Sequence, residues 1–155
     1  MRITICSSMR FAAEILAVKK TLEREGHVVF APDGAQDYLE GRANKRRRCE
    51  GAERKIARDL IRQHHSYIAN SDAILVLNYE KRGIKNYIGG NTFLEMGFAF
   101  VLGKKLYMLH GSPEIDLIQE EILAMQPVVL DGDISNLPLI DPFTDPKEDV
   151  TMVAA

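Results

Sequence analysis

The sequence predicts an α/β fold built on a parallel sheet with helices on both faces, and three observations carry that prediction. Short β-rich runs alternate with longer segments of helical periodicity, which implies right-handed crossovers between parallel strands. The run "DAILVLN" at 72–78 is continuously apolar after its first residue, as a strand buried on both faces must be. Turn-forming residues, Gly26 and then Pro32-Asp33-Gly34, fall between such runs.

In order, "RITICSS" (2–8) reads as a buried first strand. A helix from about Phe11 to Glu25 follows, because Phe11, Ile15, Val18 and Leu22 recur at helical spacing. Gly26 stops it, being tolerant of the left-handed conformation. "HVVFAP" (27–32) is a second strand, closed by proline and the Asp33-Gly34 turn. A polar, basic stretch runs to about Gly51, and "AERKIARDLIRQHHSYIANS" then reads as a helix. "DAILVLN" is the third strand. After a polar loop, "GGNTFLEMGFAF" (89–100) begins a helix that is apolar on nearly all sides and is therefore expected to be buried. "KKLYMLH" (104–110) is a fourth strand. Ser112-Pro113-Glu114 offers an N-cap with proline at the first helical position, predicting a helix to about Met125. "PVVL" (127–130) is a short fifth strand. The expected architecture is a flavodoxin-like three-layer sandwich with a five-stranded parallel sheet in the order 2-1-3-4-5. Its ligand site lies beyond the carboxyl ends of the strands, in the loops after strands 1, 3 and 4. No linker or repeat divides the chain, so residues 1–137 read as one domain and 138–155 as an acidic, proline-bearing tail.

The chain has 155 residues, 46% apolar and 27% charged, within the range of an ordinary globular domain. A net charge of −2 gives no general case for nucleic acid or an anionic membrane as partner. No window is apolar enough to cross a bilayer, and no signal peptide is expected. Cys6 and Cys49 form neither a C-x-x-C pair nor a disulfide framework, which suits a reducing cytoplasm. No histidine–carboxylate grouping has metal-ligand spacing, and neither metal nor cofactor is expected.

Glu95 is the sole Asp, Glu, Lys or Arg between Asn86 and Gly103. Two readings are open. Thr92-Phe93-Leu94-Glu95 spells the T-x-x-E of a capping box. Alternatively the carboxylate, at the carboxyl edge of the sheet, is a nucleophile facing a ligand. Gly89-Gly90, with Asn91 and Thr92 behind them, leaves free N–H groups at a helix start that suit an anion. It is neither a P-loop nor a G-x-G-x-x-G. In "CSSMR" (6–10), Ser7, Ser8 and Arg10 can hold a phosphate, or Ser8 can be a plain N-cap and Arg10 a solvated charge. Cys6 opens that loop, and Asn78 closes strand 3 at the same edge. His64 shares a helical stripe with Ala57, Leu60, Ile61 and Ile68, so it points inward, as a core residue or a proton-transfer group. His65 falls at the margin. Arg42 and "KRRR" (45–48) read as a solvated basic face or a contact for a phosphorylated ligand.

"ITICSSMR", "SDAILVLN" and "GGNTFLEMGFAFVLGKKLYML" together resemble the nucleoside 2-deoxyribosyltransferase family, with the related deoxynucleoside 5'-monophosphate N-glycosidases. The likeness runs in order over about residues 2–110, with 33–55 unmatched. It implies that Glu95 attacks the anomeric carbon, that Ser7, Ser8 and Arg10 contact a 5'-phosphate, and that the chain forms a homo-oligomer. Two positions depart from the pattern. Thr4 stands where the monophosphate branch has a tyrosine, and His64 stands where it has the aspartate that helps protonate the departing base. Three readings follow: His64 substitutes as the acid, the strand-3 Asp72 contributes, or the activity is altered or lost. The expected chemistry is N-glycosidic cleavage or 2-deoxyribosyl transfer on a small nucleoside or nucleotide. Two alternatives stay open: a non-turnover nucleotide sensor of the same fold, and a lysine-decarboxylase-like phosphoribohydrolase whose Gly-Gly-x-Gly-Thr-x-x-Glu motif "GGNTFLE" partly echoes.

Overall fold

The computed structural model describes residues 1–42, 56 and 59–138. The chain runs β1 (Arg2–Ser7), a 3-10 turn (Met9–Phe11), α1 (Ala12–Arg24), β2 (Val28–Phe30), α2 (Ala35–Leu39) and α3 (Leu60–Ala69). It continues as β3 (Ala73–Leu77), α4 (Gly90–Val101), β4 (Lys105–Met108), α5 (Gln119–Ala124), β5 (Val128–Val129) and a 3-10 turn (Ile134–Asn136). The five strands form one sheet in the order β2-β1-β3-β4-β5, every pairing parallel. This is the flavodoxin-like sandwich the alternation implies. Residues 139–155 of the expected tail, residues 45–48 and, apart from residue 56, residues 52–58 of the helix expected before His64 lie outside the described residues.

Helices on both faces bury the central strands apart from the first residues of β1 and β4. β3, "AILVL", is buried at every position, and its side chains divide between two cores. Ala73, Leu75 and Leu77 join Ile3, Ile5 and the α1 stripe of Ile15, Val18 and Leu22. Ile74 and Val76 join Cys6, Ile68 of α3 and Met96 and Ala99 of α4. The edge strands are short, and Val28 and Val128 on them are exposed, which limits the unpaired backbone the sheet presents.

Helix α1 is the stripe read from the sequence. Phe11, Ile15, Val18 and Leu22 are all buried, and Gly26 (φ +88) reverses the chain after it. Three elements depart from expectation. α2 occupies part of the polar stretch after Gly34, which adopts the left-handed conformation as its N-cap. The helix expected from Ser112 begins at Gln119 instead. Its first backbone bonds arise only at Ile115, whose carbonyl accepts from Ile118 and Gln119, while Pro113 is buried against the fold. Finally, α4 is buried on one face only. Thr92, Glu95, Met96 and Ala99 face the sheet, whereas Leu94, Phe100, Val101 and Leu102 are exposed.

Candidate active site

β1, β3 and β4 all end at the same edge, and the side chains read as functional converge there from three elements. β1 delivers Cys6 and Ser7, α3 delivers His64, and the first two turns of α4 deliver Asn91 and Glu95. Cys6, His64 and Glu95 are 0%, 7% and 5% exposed, so their contacts are made in a low-dielectric interior.

The capping-box reading of Glu95 does not hold. The N-cap of α4 is Gly89, in extended conformation and without a side-chain cap, so Thr92 lies inside the first turn. Glu95 is therefore one turn further along than a capping glutamate must be. Its Oε1 accepts instead from Asn91 Nδ2, one turn earlier, at 2.6 Å. The same oxygen is 3.6 Å from His64 Nε2, which is in turn 3.7 Å from Cys6 Sγ. Burial lowers His64 to a pKa of about 4, against smaller upward pulls from Asp33 and the Ile5 backbone. At neutral pH the ring is an uncharged imidazole. Burial also pushes the Cys6 thiol well up, and the adjoining Glu95, by charge and hydrogen bond, pushes it further. Cys6 is thus a protonated thiol and no nucleophile.

An open cleft leads to this cluster. Ser7, Met9, Pro32, Asp33, Gln63 and Tyr67 line it with His64, Asn91 and Glu95. Asp33, read from sequence only as a turn residue, accepts from the Tyr67 hydroxyl at 3.1 Å, and the Tyr67 ring stacks on Phe30. No sequence signal marks this pair as site residues, because β2 and α3 meet only through the fold.

Beside the cleft, Ser8 caps the 3-10 turn, its hydroxyl accepting from the Arg10 N–H at 3.4 Å. Lys81 Nζ donates to the same hydroxyl at 2.9 Å. Burial, then the positive charges of Arg82 and Arg10, lower the Lys81 pKa. Lys81 therefore sits on the Ser8 hydroxyl under the repulsion of two further cations, an arrangement an anion would relieve. No sequence signal points to Lys81, which reaches Ser8 from the loop after β3.

Other candidates have local duties. Ser7 donates to the Leu77 carbonyl at 2.7 Å, tying the ends of β1 and β3. Asn78, fully buried, donates to the carbonyls of His110 and Gly111 and accepts from the His110 N–H. Both its donors are consumed in holding the β3 and β4 loops together, so it offers a ligand no donor. At Gly89 a Cβ would stand 3.2 Å from the Tyr87 ring, a tight approach that favours glycine. Gly90 opens onto the exposed apolar face of α4 with Phe93 and Leu94, away from the cleft. Asp72 belongs to the opposite edge of the sheet, where it accepts from the Arg2 backbone N–H at 2.7 Å and pairs with its guanidinium at 3.1 Å. Burial opposes ionisation there, but the hydrogen bonds and charge of Arg2 outweigh it and lower the Asp72 pKa. The candidate acid Asp72 thus lies at the opposite edge from Glu95, in the orienting role of a partner to Arg2. His65 packs edge-on against Phe98. Arg42 pairs with Asp37 and Glu40 of the α2 region, as a solvated face would.

Among the described residues no helix is long and apolar enough to cross a membrane. No protein-family model matches the sequence, and neither does any curated protein. Among solved structures, the chain is similar to a 2-deoxyribosyltransferase from the psychrotolerant bacterium Bacillus psychrosaccharolyticus, with a TM-score of 0.50 over 90% of this chain and 97% of that one. At 16% identity, that likeness speaks to the shared fold.

Proposed function

We propose that the protein cleaves the N-glycosidic bond of a nucleoside or nucleoside 5'-monophosphate, with Glu95 as the nucleophile. The observation that carries this reading is a buried carboxylate, held by Asn91, at the end of a cleft on the carboxyl edge of the sheet. Charge develops on the sugar as its bond to the base breaks, and a carboxylate in a dry site stabilises it far better than water would. Glu95 attacks the anomeric carbon, the base leaves with the bonding electron pair and takes a proton from solvent in the cleft, and a glycosyl ester remains. A second base or a water then attacks the ester and restores Glu95. His64, neutral at working pH, suits that second step, where a proton must be accepted from the incoming group. Its low pKa makes it a poor acid for the first. Arg10, Lys81 and the Ser8 hydroxyl form the seat for a 5'-phosphate.

The test is incubation with a panel of nucleosides and 5'-monophosphates, with and without an acceptor base. Base release is expected, and Glu95→Gln reduces it at least about a hundredfold, since an amide cannot form the ester intermediate. Exchange of bases identifies a transferase; release without exchange identifies a hydrolase. A second reading, a nucleotide sensor without turnover, draws on the neutral His64 where the resembled family has an acid. Tight binding of a monophosphate with no release of base by the wild type would select it.

A further inference from the structure

Cys6, His64 and Glu95 bring three different donor types together in one buried cluster, with their ligating atoms all within 4.8 Å of one another. We propose that they form a site for a thiophilic divalent cation of the zinc class, and that its occupation blocks the glycosyl chemistry. The blocking half rests on the nucleophilic role proposed for Glu95; the binding half does not.

Two of the three donor separations lie near those of a zinc site, and the third, from Cys6 Sγ to the Glu95 carboxylate, lies within 4.8 Å. Zinc bonds of about 2.3 Å to sulfur and about 2.0–2.1 Å to nitrogen and oxygen, at tetrahedral angles, separate neighbouring donors by about 3.5 Å. The observed separations are 3.7 Å from Cys6 Sγ to His64 Nε2 and 3.6 Å from that nitrogen to Glu95 Oε1. Thiolate and imidazole donors select zinc over calcium or magnesium, which require oxygen-rich shells. Metal binding draws on the neutral form of the His64 ring, with Nε2 as the ligating nitrogen. Asn91 holds the Glu95 oxygen and the Ile5 backbone engages the His64 ring, the outer contacts that orient metal ligands. On binding, the Cys6 S–H bond breaks, sulfur keeps the electron pair for the metal, and the proton leaves to solvent. The two ligand charges then balance the cation, which keeps burial tolerable. His64 and Glu95 also line the cleft, from which a water could complete the shell. With its oxygen committed to the metal, Glu95 no longer attacks a sugar.

The experiment uses the full, metal-stripped chain. Titration with zinc chloride by calorimetry should show one strongly bound ion. Titration with cobalt(II) should give the near-ultraviolet thiolate-to-cobalt band. Cys6→Ser should abolish that band, His64→Gln should weaken zinc at least tenfold, and Cys49→Ser should change neither. Circular dichroism checks that each variant is folded. A band that survives in folded Cys6→Ser, or zinc affinity unaffected by His64→Gln, overturns the site. In wild type, zinc should suppress base release along the same saturation curve as its binding, and a chelator should restore it. Zinc binding through these ligands with full base release refutes the blocking role. Stoichiometric binding in a protein that releases no base with or without zinc keeps the site and refutes the glycosidase reading instead.

Discussion

At the scale of single residues, His64 couples the site to pH. Its native pKa is about 4 against an ordinary 6.5, because burial disfavours the imidazolium. Above pH 6.5 neither folded nor unfolded chain protonates it, and it adds no pH dependence. Between 6.5 and about 4 the unfolded chain takes a proton the folded one refuses, so stability falls as pH falls. The loss reaches at most about 3 kcal/mol, at ~1.4 kcal/mol per pKa unit. Urea unfolding from pH 7 to 4 with a chelator present should therefore show a steeper decline for wild type than for His64→Gln. Parallel declines would mean the imidazole is not held neutral. Some of this neighbourhood was legible beforehand. Glu95 stood out because it is a lone charge in an apolar run, and the helical stripe turned His64 inward. The Asn91–Glu95 bond was not legible, because the T-x-x-E spacing favoured a cap that required the helix to begin three residues later than it does. Asp33, Tyr67 and Lys81 were silent, since each acquires its site neighbours from segments distant in the chain.

At the scale of elements, α4 shows where periodicity misleads. Its apolar residues on all sides predict full burial, yet Val101 is 84% exposed and Phe100 53%. A hydrophobic residue next to a core and one next to a partner look the same in sequence. Leu94, Val101 and Leu102 line one apolar patch with Phe93 and Phe98, and α4 carries the proposed nucleophile on its other face. The expected homo-oligomer is accordingly proposed to assemble through this patch, which places the subunit contact one helix thickness from the site. Val101→Glu should lower the solution mass measured by light scattering towards that of a monomer, because a charge cannot be buried there unpaired. Its thermal unfolding temperature should fall when measured at concentrations where wild type is associated. A wild type that is monomeric at high concentration would remove the proposal. By contrast, α1 was read correctly through Phe11, Ile15, Val18 and Leu22 because its opposite face is plainly charged, leaving one stripe to bury.

At the scale of the whole molecule, the parallel sheet gives the protein a polarity that sorts its charged residues by role. All five strands run the same way, so their amino ends share one edge and their carboxyl ends the other, separated along β3 by roughly 16 Å at ~3.3 Å per residue. Reading "SDAILVLN" as one site-bearing stretch misses that Asp72 and Asn78 belong to opposite edges of the sheet. Asp72 pairs with Arg2 at the amino edge, whereas Lys81, just beyond Asn78, meets Ser8 at the carboxyl edge. This separation makes two substitutions diverge. Asp72→Asn breaks an exposed ion pair, which costs under about 1 kcal/mol, and should leave both kcat and KM for a 5'-monophosphate unchanged. Lys81→Met removes a cation from the proposed phosphate seat and should raise KM for the monophosphate about tenfold or more, with little effect on the matching nucleoside. Steady-state kinetics on that substrate pair separates the cases. A drop in kcat for Asp72→Asn would mean that the amino edge takes part in the chemistry. Equal losses on nucleoside and monophosphate for Lys81→Met would mean that Lys81 organises the loop and does not bind phosphate.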